Sequence, residues 1–273
     1  MAYPNSRPAA ALAAALLLAC SAAPGLAKDG PVAVDAELVF AVDISYSMNS
    51  EEQHLQRAGY VAALESPEFL HALQSGPLGK VAVAYIQWSS YTDQNVVLNW
   101  SLIDGPESAQ AIAGELGAAG FRRARRTSIS GGIDFAAHMF ENNGYDGARR
   151  IIDVSGDGPN NDGRPVLEAR NEALGKGIVI NGLPLVGIRP YIGPADIQDL
   201  DIYYQDCVVG GPGSFMIPVH NTNSFVDATR AKLVREIAAL PPPPARPVQL
   251  VADDEPRISC MVGENLWGHR FGN

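Results

Sequence analysis

From Glu37 onward, apolar runs of strand length alternate with stretches whose apolar residues recur every three or four positions. The strand-like runs are LVFAV, KVAVAYIQW, NVVLNWSLI, RRIIDVS and GIVINGLPLVG, with SFMIPV as a weaker sixth. Several are apolar without interruption, the pattern of strands buried on both faces. Between them the helical period takes over. Ser50 with Gln53 makes a capping box that opens a helix reaching about Leu64. Ala109, Ile112, Ala113 and Leu116 fall on one face of a second, and Ile129, Ile133, Ala137 and Phe140 make the stripe of a third. Val166, Ala169 and Ala173 form another behind Pro165, a favoured early helix residue. A last helix begins near Ser224, carries Val226, Leu233, Ile237 and Leu240, and stops at the proline run LPPPPARP.

Only SSYTDQ separates KVAVAYIQW from NVVLNWSLI, too short for a helical crossover, so this pair is expected to form an antiparallel hairpin. Elsewhere strand and helix alternate, which predicts a doubly wound α/β fold. Its sheet is mostly parallel, with one antiparallel edge strand and helices on both faces. The organisation read from these patterns is a leader over 1–27, a linker over 28–36 and one domain over 37–240. A proline-rich spacer and tail follow over 241–273.

The leader carries one cation, Arg7, an apolar run from Ala9 to Ala19 and small residues ending at Ala27. That is the layout of a secretory signal cleaved after Ala27. Alternatively Leu17, Leu18 and Ala19 before Cys20 resemble a bacterial lipobox, which would leave a lipid anchor on Cys20. Both readings place the protein outside the cytoplasm, in a bacterial periplasm or secreted. Beyond Ala27 no run is long and apolar enough for a membrane helix.

The formal net charge of −10 argues against general nucleic-acid binding. Two cysteines lie beyond the leader, Cys207 and Cys260. In an oxidising compartment they most simply pair, tying the tail back at a gain of about 4 kcal/mol in the chain-entropy model. Two buried free thiols are the alternative. Zinc is disfavoured, since no third Cys or His stands at ligand spacing and the five histidines are scattered.

The first strand raises a chemical question. ELVFAVDISYSMNSEEQ ends its apolar run on Asp43, Ser45 and Ser47, oxygens at alternate positions. In open α/β sheets, ligands bind beyond the carboxyl ends of the strands. There RRIIDVS is followed by GDGPNNDG with Asp157, and RRTSIS before the Ile129 helix supplies Thr127. Two acids and three hydroxyls suit a hard cation such as Mg²⁺ or Mn²⁺, leaving one octahedral position for a partner's carboxylate.

Together, VDISYS, RTSISGGIDFA and VSGDGPNN resemble the signature of von Willebrand factor type A domains, which carry a metal-ion-dependent adhesion site. The likeness runs from about Asp35 to Leu240 and is most similar to an uncharacterised bacterial branch of exported A domains. It implies a Rossmann-like fold and metal contacts, direct or nearly so, from Ser45, Ser47 and Thr127. Asp43 and Asp157 would act partly through water. It also implies a protein partner whose acidic side chain completes the metal shell. Tyr46 stands where the family often has Gly, and Gly156 where a Thr is common.

Other stretches have plainer readings. RRARR (122–126) is a solvated loop in most settings, with Arg125 and Arg126 kept as rim residues beside the site, together with Tyr46. GDGPNNDG lacks calcium-loop spacing, and Asn160, Asn161 and Asp162 are expected to cap the next helix. Trp267 and Phe271 in the tail have two readings, a partner-binding hook or, with Cys260 close by, docking back on the domain, and the second is expected.

Three classes of function fit these features. The favoured one is a non-catalytic protein-binding module. A hydrolase using the same cation as a Lewis acid is the second, and a scaffold with a vestigial site the third.

Overall fold

The computed structural model describes Met1 and residues 30–186, 197–238 and 256–271. The leader with Arg7 and Cys20, Leu240 and the proline run lie outside the described residues, as does the side chain of Phe271. Strand β1 (Val32–Val34) pairs in parallel with β5 (Tyr145–Gly147) as a small two-stranded sheet. Residues 32–36, expected within a linker, are therefore strand or strand junction.

The main sheet has five strands in the order β4-β3-β2-β6-β7. Strand β2 (Ala36–Asp43) is central, with β3 (Val81–Trp88) and β6 (Arg150–Gly156) parallel on either side. The expected hairpin forms, with β4 (Gln94–Ile103) antiparallel to β3 at one edge, and β7 (Ile178–Pro184) closes the other edge in parallel. The helices are α1 (Ser50–Leu64), α2 (Pro67–Gln74), α3 (Pro106–Ala118), α4 (Ile129–Met139) and α5 (Val166–Gly175). A short α6 (Leu200–Tyr203) runs into a π-helical turn (Tyr204–Val208), followed by α7 (Phe225–Ala238) and α8 (Val262–Phe271).

All eight residues of β2 are buried, and its alternation sorts them between two cores. Val39 and Ala41 face one core, joined by Ala84, Ile86 and Trp88 of β3 and by the apolar stripes of α4 and α5. Leu38, Phe40 and Val42 face the other, with Tyr60 of α1, Leu116 of α3 and Leu233 of α7. The continuous apolar runs are thus strands covered by helices on both faces.

Three local details differ from expectation. The cap of α1 is Asn49, one residue early: its side chain accepts from Glu52 N at 2.9 Å, and Glu52 Oε2 accepts from Asn49 N at 2.7 Å. SFMIPV is no strand and makes only isolated bridges to β7 and the residue after it, Gly182 with Met216 and Leu185 with Val219. Pro218 offers no donor for a ladder there. Helix α2 was not anticipated; Ser66 caps it by accepting from Phe69 N at 3.2 Å, with Pro67 in its first turn.

Candidate metal centre

Strands β2 and β6 are neighbours, and the chain leaves β2 for β3 on one side and reaches β6 on the other. This topological switch opens a crevice at their carboxyl ends. Asp43 ends β2 there, and Asp157 follows Gly156, the last residue of β6.

One hydrogen-bonded chain links four of the five expected ligands. Ser45 N donates to Asp43 Oδ1 at 2.7 Å, Ser45 Oγ lies 2.6 Å from Ser47 Oγ, and Ser47 Oγ donates to Asp157 Oδ1 at 2.6 Å. Thr127 is not in that chain but lines the same cleft, of about 510 Å³, as Ser45 and Ser47. Its backbone is locked to the loop after Asp157: Thr127 N donates to Asn161 Oδ1 at 3.0 Å, and Asn161 N to Thr127 O at 2.8 Å. Ala124 N, donating to Ile44 O at 3.0 Å, ties the arginine-rich segment to the β2–α1 loop.

Asp43 is fully buried, and its Oδ2 has no hydrogen-bond partner. Burial, and then the charge of Asp157, push its carboxyl well above the usual range, against the opposing hydrogen bonds from Ser45 and the Asp157 backbone. A buried carboxylate oxygen without a partner, beside the charge of a second carboxylate, is what a cation would satisfy. Among the described residues no three or more of His, Cys, Asp and Glu group as a metal site. The donors here are therefore two carboxylates and hydroxyls, a hard-oxygen set that fits Mg²⁺ or Mn²⁺.

The rim residues read from the sequence, Tyr46, Arg125 and Arg126, all border this cleft. Tyr46 is 54% exposed. Arg123, not singled out, donates to Tyr46 O at 2.8 Å and lies over its ring at 5.3 Å. One further residue was missed, and one expected to dock back on the domain does so at the site itself. Tyr204 on the π-helical turn sends its hydroxyl behind Asp43, where burial, Asp43 and Asp157 raise it well above the usual phenol range. Trp267 of α8 joins the cleft wall, with the Arg126 guanidinium 4.0 Å from its ring centroid. Nothing local in the sequence signals Tyr204, whereas the docking of Trp267 was expected from Cys260 close by.

Asn160 and Asn161 do not cap α5, whose N-cap is Pro165 without a side-chain bond. They turn inward instead, and Asn160 Oδ1 accepts from Ser130 N at 2.9 Å. Asp162 accepts from Tyr91 N at 2.9 Å and, through its carbonyl, from Ser128 Oγ at 2.8 Å. The disulfide between Cys207 and Cys260 is formed.

The fold is that of von Willebrand factor type A domains. Similar solved structures include proximal thread matrix protein 1 from the mussel byssus, at TM-score 0.54 and 14% identity, covering 77% of this chain and 49% of that one. The pilus adhesin SpaC from Lactobacillus rhamnosus GG, in an open conformation, gives 0.50 and 14%, over 77% and 30%. A von Willebrand factor type A protein from Catenulispora acidiphila gives 0.50 and 12%, over 74% and 43%. This chain thus spans half or less of each. It belongs to the family described as Protein of unknown function (DUF1194), matched over residues 33–241. No curated protein matches it significantly.

Proposed function

We propose that the chain is an exported, non-catalytic protein-binding module. It holds Mg²⁺ or Mn²⁺ through Asp43, Ser45, Ser47, Thr127 and Asp157 and binds a protein partner through an acidic side chain that completes the metal shell. One observation carries this reading: the buried Oδ2 of Asp43, without a hydrogen-bond partner, sits in the β2–β6 crevice beside the Ser45–Ser47–Asp157 chain. A bound cation supplies positive charge to seat an incoming carboxylate. The residues of the chain do the positioning: Ser45 N fixes the Asp43 carboxyl, and Asn161 fixes the backbone of Thr127.

Binding rather than catalysis is supported by relatives of the same fold named as a pilus adhesin and a thread matrix protein. Export is supported by the leader pattern and by the Cys207–Cys260 disulfide, a bond typical of oxidising compartments. Whether the exported form is free or anchored at Cys20 depends on how the leader is processed.

The test is calorimetric titration of the chain from Lys28 with Mg²⁺ and with Mn²⁺, beside an Asp43→Ala variant of matching circular dichroism. Binding by the wild type that the variant loses is expected. No binding by a folded wild type would favour a scaffold with a vestigial site. Turnover of a phosphodiester or ester in Mn²⁺, abolished in the same variant, would replace binding by hydrolysis.

A further inference from the structure

Helix α8 lies beyond the span 33–241 that matches the family, yet it is fastened beside the site at two points. Cys260, just before it, is bonded to Cys207 on the π-helical turn. Glu264 Oε1 accepts from Asn160 Nδ2 at 2.7 Å. Asn160 is itself fully buried, with its N donating to the Tyr203 hydroxyl at 3.2 Å. The helix and the loop approach so closely that a Cβ on Gly263 would collide with the Asn160 carbonyl. The docking of α8 is therefore fixed relative to the loop that carries Asp157.

One turn beyond Gly263, Trp267 stands half-buried over Arg126 and in the wall of the cleft floored by Ser45, Ser47 and Thr127. Arg126 holds this place at φ 75, a left-handed conformation uncommon for a non-glycine residue, directly before Thr127. The cleft, at about 510 Å³, far exceeds what one carboxylate occupies and falls within the range of sites that bury whole ligand groups. Two aromatic rings, exposed Tyr46 and Trp267, border it, and Arg125 and Arg126 line it. In a chain of net charge −10, this arginine-lined face is the complement of an acidic partner.

We infer that the partner segment is an acidic peptide in which a large apolar side chain adjoins the metal-seeking carboxylate, and that Trp267, carried by α8, supplies the apolar slot that selects it. This rests on the metal-site reading above. Rings of Trp and Tyr serve such recognition well because they offer a broad apolar face that is already fixed in place.

The test is selection of displayed random decapeptides on the immobilised full chain in Mg²⁺, repeated on Trp267→Ala and Trp267→Phe chains with wild-type circular dichroism and Mg²⁺ titration. Wild type and Trp267→Phe are expected to enrich Asp or Glu beside Phe, Tyr, Trp or Leu, and Trp267→Ala to enrich the acid alone. A synthesised wild-type winner should lose about tenfold in affinity to Trp267→Ala and no more than about threefold to Trp267→Phe. Acid-only peptides bound equally by all three chains would overturn the apolar slot and leave the metal site standing. Winners without an acid, or indifferent to EDTA, would overturn both.

Discussion

Gly156, the last residue of β6, lies so close to Asp43 at the end of β2 that a Cβ on it would stand 2.9 Å from Oδ2. The Tyr204 hydroxyl would be 3.0 Å from the same Cβ. All three residues are buried, so the intruding atom meets groups with little room to retreat. A threonine, common at this position in the type A domains that the chain resembles, has no space here because Asp43 and the Tyr204 hydroxyl both close on it. Gly156→Ala is expected to cost about 1–3 kcal/mol of stability by overpacking and to weaken Mg²⁺ binding by displacing Asp43. In a Tyr204→Phe background the cost should shrink, since one of the two opposing oxygens is gone. Urea unfolding and calorimetry of the three variants check both effects. Equal costs in both backgrounds would show that Tyr204 does not confine the site.

Asp43→Asn separates the two roles of that carboxyl. The amide oxygen can still accept from Ser45 N, the 2.7 Å bond that shapes the loop, while the buried charge disappears. In EDTA the variant should be as stable as the wild type, or more so by about 1–2 kcal/mol, because the cost of burying charge beside Asp157 is removed. With Mg²⁺ at a hundred times its Kd the wild type gains about 2.7 kcal/mol, and the variant should gain nothing. Melting curves in chelator and in Mg²⁺ decide it. A variant destabilised in EDTA would mean that the carboxylate is satisfied without a cation.

Much of this was legible because it depends on short-range pattern. The unbroken apolar run 38–42 reads as a strand covered on both sides, and the oxygens of Asp43, Ser45 and Ser47 then fall at its carboxyl end and in the loop just beyond it. The stripes of α3, α4 and α5 appear in the helices at the positions expected, all four Ala109, Ile112, Ala113 and Leu116 being buried. What escaped is set by distant contacts. That Trp267 docks was expected, but its place at the cleft depends on a disulfide between residues 53 apart, on Glu264 meeting Asn160 and on the left-handed backbone of Arg126. Asn160 and Asn161 have the composition of a local helix cap, but their amides meet Ser130 and Thr127, partners that local sequence cannot reveal. Capping of α1 slipped by one residue because Asn49 and Ser50 offer equivalent oxygens, and the geometry of the turn selects the first.

The Cys207–Cys260 bond carries a prediction of its own. It closes 53 residues of separation between the π-helical turn and the start of α8. Cys207→Ser with Cys260→Ser should cost about 2–4 kcal/mol of global stability. It should also shift the Trp267 contribution to the emission spectrum toward the red, as α8 leaves Arg126. Comparing the double variant with the same variant carrying Trp267→Phe isolates that contribution from Trp88 and Trp100. A loss of stability without a change in Trp267 emission would show that Glu264 and Asn160 hold the helix unaided.

The pH dependence of stability has a source away from the metal centre. Lys232 of α7 is fully buried, with Nζ 2.5 Å from Asp153 Oδ1 and 2.6 Å from Glu236 Oε1, and Asn181 Nδ2 donates to the same Glu236 oxygen at 2.9 Å. One cation thus faces two carboxylates in a closed layer between α7 and the sheet. Burial foremost, with Asp153 adding and Lys232 opposing, raises Glu236 to about 7 from an ordinary 4.5. Between those two values the folded chain holds a proton that the unfolded chain has lost. The stability this group contributes is therefore complete below about pH 4.5 and is lost as pH rises through about 7. Glu236→Gln removes the titration and keeps an acceptor for Lys232. The stability of the wild type relative to this variant should fall by about 1–3 kcal/mol between pH 5 and pH 8. Urea unfolding of both proteins across that range measures it. A difference flat with pH would mean that Lys232 neutralises Glu236 completely, and that Asp153 finds its counter-charge elsewhere.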